Sequence, residues 1–217
     1  MRPIVPLVYF ILTFVSIANA DSLEKRHQLG LNIGMWCPDV TTEASTGSVS
    51  TSLGNNGFLG GVNYGYSLTE SMTLGISAGV MLTKMETKVG LMDVSNEYSS
   101  ITQILINMKI YFPKSTYGSS VRPFVRVGAG PYIGNQEGTK VNNEVIVESR
   151  SETAFGGQGG LGVDFILGQH FLADILIGYN LTTDFNNPIG GSKNCNGLEF
   201  SFGFRYLFGN GRAETQR

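Results

Sequence analysis

Leu198 to Phe208 reads LEFSFGFRYLF. Leu198, Phe200, Phe202, Phe204, Tyr206 and Phe208 share one face. Glu199, Ser201, Gly203 and Arg205 share the other, with Leu207 the one exception. Strict period-two alternation is the signature of a β-strand. An aromatic wall opposite glycine and charge fits a strand with lipid on one side and a crowded polar interior on the other.

The same pattern recurs through the chain. A first strand from about Leu29 to Trp36 sets Leu29, Leu31, Ile33 and Met35 against Gly30, Asn32, Gly34 and Trp36. A second, about Phe58 to Ser67, turns Val62, Tyr64 and Tyr66 outward, and a third runs from Met72 to about Thr83. The fourth, Thr102 to Phe112, points Gln103, Asn107, Lys109 and Tyr111 inward. The fifth, Arg122 to Gly134, points Arg126 and Tyr132 inward and contains Pro131. Proline removes a ladder donor, so Pro131 is expected near the upper rim or at a bulge. The sixth, about Phe155 to Leu167, and the seventh, Phe171 to about Thr182, turn Asp164 and Asp174 inward. Connections alternate long and short: Cys37–Asn56, Lys84–Ser100, Asn135–Glu152 and Thr183–Asn196 are long, and the three between them are short. Even strand number, about ten to thirteen residues per strand and alternating loop length predict an all-β, eight-stranded antiparallel transmembrane barrel of the up-and-down type. The alternative, a soluble lipocalin-like ligand-binding barrel with its apolar face inward, would expose mainly Gly, Asn and Ser, a poor basis for solubility.

Composition supports the membrane reading. The 217 residues include 29 glycines, and only 15% are charged. No apolar run after residue 20 is long enough for a membrane helix, and a closed barrel is the other fold that satisfies its backbone in lipid. Residues 1–20 read as a signal peptide. Arg2 precedes the apolar stretch Ile4–Ile17, and Ala18-Asn19-Ala20 ends in a small-residue site that predicts cleavage between Ala20 and Asp21. Removing Arg2 from the 15 basic residues leaves 14 against 17 acidic, a net charge of −3 with His neutral, which argues against nucleic acid as a partner.

Pro123–Gly134 (PFVRVGAGPYIG) and Gly159–Tyr179 (GGLGVDFILGQHFLADILIGY) resemble the fifth strand and the sixth-to-seventh hairpin of small outer-membrane barrels. These form the opacity-protein and outer membrane protein A/X-like superfamily of Gram-negative bacteria. The resemblance covers about residues 21–209, with 210–217 a short C-terminal extension. It implies a barrel in the bacterial outer membrane, surrounded by lipid and lipopolysaccharide and folded by the barrel-assembly machinery. Roles in that superfamily include adhesion, serum resistance and envelope integrity. Its chains usually stop at the terminal aromatic of the last strand, which the assembly machinery reads; here Gly209–Arg217 follow Phe208.

Several side-chain groups carry expectations. Cys37 stands above the first strand and Cys195 before the last, and these strands close an eight-stranded barrel. In an oxidising compartment that arrangement predicts a Cys37–Cys195 disulfide across the seam, given Cα atoms within about 7 Å. The inward charges Lys109, Arg126 and Arg205 face Asp164, Asp174 and Glu199. Isolated charges in a narrow lumen are costly, so these six are expected to pair as an electrostatic plug, with a gated ion path as the rival role. Trp36 and Tyr132 point inward and are expected to cap the lumen.

An enzyme of the lipid A-modifying kind needs a base beside a Ser nucleophile. The two histidines, His27 and His170, lie at the short-turn end, and neither has a Ser two residues on. Gly157–Gly162 matches G-x-G-x-x-G but opens a strand, and Asn180-Leu181-Thr182 is a sequon inside one. The His and Cys spacing indicates no metal, and no cofactor is called for. The expected function is a non-enzymatic structural or surface-interaction role, in adhesion or envelope integrity, exerted by a monomer through its four outer loops and any ligand they meet. The alternative is a narrow pore or small-solute channel.

Overall fold

The computed structural model describes residues 23–39, 44–46, 49–53, 57–89, 92–113, 120–136, 139–141, 144–147, 149–189 and 192–209. The predicted signal segment with its Ala20–Asp21 junction, and residues 210–217, lie outside them. Among the described residues twelve strands form: β1 (His27–Pro38), β2 (Ala44–Thr46), β3 (Val49–Leu53), β4 (Gly57–Thr69), β5 (Met72–Val89), β6 (Met92–Tyr111), β7 (Val121–Gln136), β8 (Thr139–Val141), β9 (Glu144–Val147), β10 (Arg150–Ile166), β11 (Phe171–Thr182) and β12 (Gly197–Phe208).

Eight of them close a ring. Pairing runs β5-β4-β1-β12-β11-β10-β7-β6, and β6 returns to β5. Every pair is antiparallel. The seam is the β1–β12 pair, twelve residues long, from His27↔Phe208 to Pro38↔Gly197. Closure leaves the ring no unpaired edge, which is what a strand fold needs in lipid. Beyond Phe208 the chain turns at Gly209, whose φ of +92° favours glycine.

The alternation read from sequence is the inside–outside alternation of the wall. Phe202 and Phe204 are about half exposed, whereas Glu199 and Leu207, of opposite parity on the same strand, are 1% exposed. The exception at Leu207 has a reason: it joins Leu23, Ile166 and Leu172 in an apolar layer that closes the short-turn end. Pro131 lies inside β7 opposite Phe155 of β10, with no bulge. On its other side the β6 ladder is interrupted between Gln103↔Tyr132 and Ile106↔Ala129, where the missing N–H falls.

Two of the expected long loops contain additional strands, and a third is mostly strand. Within 37–56, β2 and β3 form a hairpin whose second strand pairs with the upper part of β5. The segment 84–100 belongs largely to β5 and β6, which continue as one hairpin to Val89↔Met92 with a bulge between Glu86 and Thr87. Within 135–152, β8 and β9 form a separate hairpin. These segments lie beyond the aromatic wall, so their polar composition hides a strand pairing that period-two hydrophobicity cannot report.

Candidate functional site

The interior is layered. In the periplasmic half, two residues from the end of β10, Asp164 is fully buried and is the hub. Arg205 grips it with two hydrogen bonds, Nη2 to Oδ1 at 3.1 Å and Nη1 to Oδ2 at 3.3 Å. Lys109 Nζ donates to Oδ1 at 3.3 Å and the Tyr111 hydroxyl to Oδ2 at 2.7 Å. Arg205 also pairs with Asp174 at 2.5 Å and donates to Gln28 at 3.1 Å. A two-pronged guanidinium–carboxylate contact is the strongest geometry available to such a pair. Desolvation is the opposing cost, and at Asp164 it is met by four donated hydrogen bonds.

Two glycines make room for this hub. A Cβ on Gly30 would lie 2.3 Å from Arg205 Cγ, and one on Gly203 would lie 2.1 Å from Asp174 Oδ2. Lys109 also sits 3.8 Å from the centroid of the Phe124 ring, a cation–π contact in a dry layer with Tyr111 and Leu176.

The next layer toward the long loops is a chain of amides. Arg126 donates to Gln158, and Gln158 donates to Glu199. Asn180 donates to Glu199 at 3.2 Å and accepts from the Tyr132 hydroxyl at 2.9 Å. Ser201 donates to Glu199 at 3.2 Å. The structure therefore brings the six expected lumen charges into two adjoining clusters, Lys109, Asp164, Asp174 and Arg205 in one, Arg126 and Glu199 in the other. Among the described residues a cavity of about 20 Å³ is lined in part by Asn107, Lys109, Arg126, Asp174 and Arg205. It has room for about one water.

The long-loop end is apolar, not polar. Trp36, Leu59, Met81, Ile101, Leu105, Tyr132, Ala154 and Cys195 pack together with Phe185 and Ile189. The last two come from the connection between β11 and β12, which dips into the barrel mouth. Phe185 N donates to Lys193 O at 2.6 Å, and Thr182 N donates to Asn196 Oδ1 at 2.7 Å, so the dipped segment is tied to the strands that carry it.

Such a barrel, with lipid-facing aromatics and a filled interior, matches one family model. The outer membrane protein beta-barrel domain matches over residues 9–208. The chain belongs to this family. Among solved structures, the outer membrane protein OprG from Pseudomonas aeruginosa is 15% identical, with a TM-score of 0.57, over 86% of this chain and 97% of OprG. The N-terminal β-barrel domain of Pseudomonas aeruginosa OprF is 14% identical, with a TM-score of 0.48, over 85% and 98%. Neisserial surface protein A is 16% identical, with a TM-score of 0.49, over 84% and 97%. At such identities the likeness is one of fold, and OprG carries it. No curated protein matches the chain in sequence. The protein is an integral barrel of the bacterial outer membrane, and its long loops mark the outer face.

In this outer-membrane barrel no disulfide joins Cys37 to Cys195, contrary to the expectation from sequence. Cys37 pairs with Leu198 in the seam and shares the outward parity of Ile33 and Met35. Cys195 lies three residues before Leu198, fully buried in the outer core, its N–H donating to the Thr182 hydroxyl at 2.8 Å. The two side chains therefore face opposite sides of the wall. Closeness of strands is not closeness of thiols, because one residue of parity reverses direction. Burial pushes the Cys195 thiol up to about 12.

Both histidines sit on aromatic stacks at the periplasmic rim. His27 stacks on Phe208 at 5.2 Å and its Nδ1 lies 2.7 Å from the Tyr64 hydroxyl; His170 stacks on Tyr206 at 6.0 Å. Gly157–Gly162 runs through β10, and Asn180 is buried in β11, so neither motif has the loop geometry its usual function needs. Parity places Tyr111, Gln158 and Asn180 inside, but their partners could not be named from it. Leu23, Phe185 and Ile189 lie outside any periodic segment, and sequence offers no signal for their insertion.

Proposed function

We propose that this barrel is a non-enzymatic surface protein, serving adhesion or envelope integrity through its four outer loops. The observation that supports this reading most strongly is the blocked interior. A periplasmic apolar layer around Leu23 and Leu207, the Asp164–Arg205 hub and the outer apolar core lie in series. A conducting path needs continuous water, and the polar cavity between them holds about one molecule. The six lumen charges then act as an electrostatic plug. The chain outside the barrel is where contact with other molecules is available, in the β2–β3, β5–β6 and β8–β9 hairpins. Around it we place lipopolysaccharide and outer-membrane lipid, with the barrel-assembly machinery reading the last strand and the mature monomer beginning at Asp21.

Planar-bilayer recording of the refolded chain tests the reading. The expected record is flat, with no discrete openings between −100 and +100 mV, roughly the potentials at which a gating charge gains a few kcal/mol. Steady openings that Arg205→Ala enlarges would favour the narrow pore instead. Adhesion of cells displaying the barrel, with and without the β8–β9 hairpin, tests the positive half of the proposal.

A further inference from the structure

We propose that the barrel wall over β7, β10 and β11 holds one phospholipid acyl chain in a groove of its periplasmic half. Pro123 pairs with Val163, and Val163 with Ile175. Phe112 adjoins Pro123, its N–H donating to the Pro123 carbonyl at 3.0 Å. These outward positions form one row across β7, β10 and β11 and the residue that follows β6. Pro123, Val163 and Ile175 are only half-exposed although they face lipid. Phe112, Leu161 and Ile177 around them stand out, at 46%, 63% and 58% exposed. The half-buried side chains thus make a floor and the protruding ones make walls, and the resulting concavity measures about 430 Å³.

The occupant follows from chemistry. The groove's lining is apolar apart from the backbone, so water gains no hydrogen bonds there, and an unfilled groove forfeits dispersion contacts along its length. A second copy meeting this face by two-fold symmetry would set groove against groove and enlarge the void. A flexible acyl chain fills it with no polar group to satisfy. The groove lies beside the ends of β6 and β10 at the short-turn end, so the chain comes from the periplasmic leaflet, where phospholipid is the lipid.

Trp36 is the sole tryptophan and is buried inside the outer end, so it is a silent background for quenching by acyl chains. Phe112→Trp places a reporter on the groove wall. Val62→Trp, at a lipid-facing site on β4 across the barrel, is the control. Each variant is refolded in detergent, checked for a fast-migrating unboiled band, and titrated with phospholipid brominated on its acyl chains. Phe112→Trp should lose half its emission near one equivalent of lipid, and Val62→Trp only as lipid becomes a large fraction of the micelle. Superimposable curves overturn the proposal. Adding Val163→Phe, which fills the floor, should move the Phe112→Trp curve onto the control; Ile175→Phe serves if that variant fails to fold. Early quenching that persists in the filled variants also overturns it. So does a Phe112→Trp signal that follows protein concentration and ignores lipid, the mark of a second copy.

Discussion

Asp164→Ala is the perturbation that weighs the interior most directly. The side chain is fully buried and accepts from Arg205 twice, from Lys109 and from Tyr111. Its removal leaves Lys109 buried beside the Phe124 ring without its ion-pair partner, while Arg205 keeps Asp174 at 2.5 Å. Breaking a buried pair costs about 3–5 kcal/mol, because the surviving charge stays desolvated. Asp174→Ala should cost less, about 1–3 kcal/mol, since Arg205 then retains both bonds to Asp164. Lys109→Met should rescue part of the Asp164→Ala loss, giving a coupling of about 1–3 kcal/mol in the double-mutant cycle. The assay is reversible urea unfolding in lipid vesicles, read by Trp36 emission and the unboiled gel band. A loss under about 1 kcal/mol for Asp164→Ala, with no coupling to Lys109, would mean that water already reaches the carboxylate. The layered, closed lumen would then be wrong, and the pore reading would return with it.

Other consequences are as concrete. Phe185→Ala opens the outer core and should cost about 3 kcal/mol, with faster maleimide labelling of Cys195; unchanged labelling would show that the dipped segment does not guard the thiol. The Cys195 thiol, raised in the fold from 9.0 to about 12, stays protonated while the unfolded chain ionises, so stability is full below about pH 9 and falls as pH rises toward 12. Between pH 8 and 10.5 wild type should lose about 2 kcal/mol more than Cys195→Ala in urea titrations, and parallel losses would refute it. Gly34→Val would put a Cβ 2.3 Å from the Phe200 carbonyl oxygen and 2.8 Å from Ser201 Cα, so the seam should not close; a normal fast-migrating unboiled band would disprove this.

The lumen charges were legible one by one and illegible as pairs. Parity put Lys109, Arg126, Asp164, Asp174, Glu199 and Arg205 inside, and all six are found there. That Arg205 chooses Asp164 and Asp174, while Arg126 goes to the Gln158 amide, depends on heights across the ring that strand shear sets. The Cys37–Cys195 bond is absent for a related reason: the seam fixes which strands meet, not which way each side chain faces.

What Leu198–Phe208 and its seven counterparts determine alone is the wall: strand number, which face meets lipid, and the outer membrane as the place where such a wall is stable. Period-two alternation is a local property, and each strand carries it without its neighbours. The contents of the wall are tertiary. Gln28 meets Arg205 across 177 residues of sequence, and Phe185 and Ile189 enter the mouth from an aperiodic connection. Those contacts exist only once eight strands close at one shear. The ring then leaves a narrow interior in which every polar group must find a partner or remain unsatisfied at a cost.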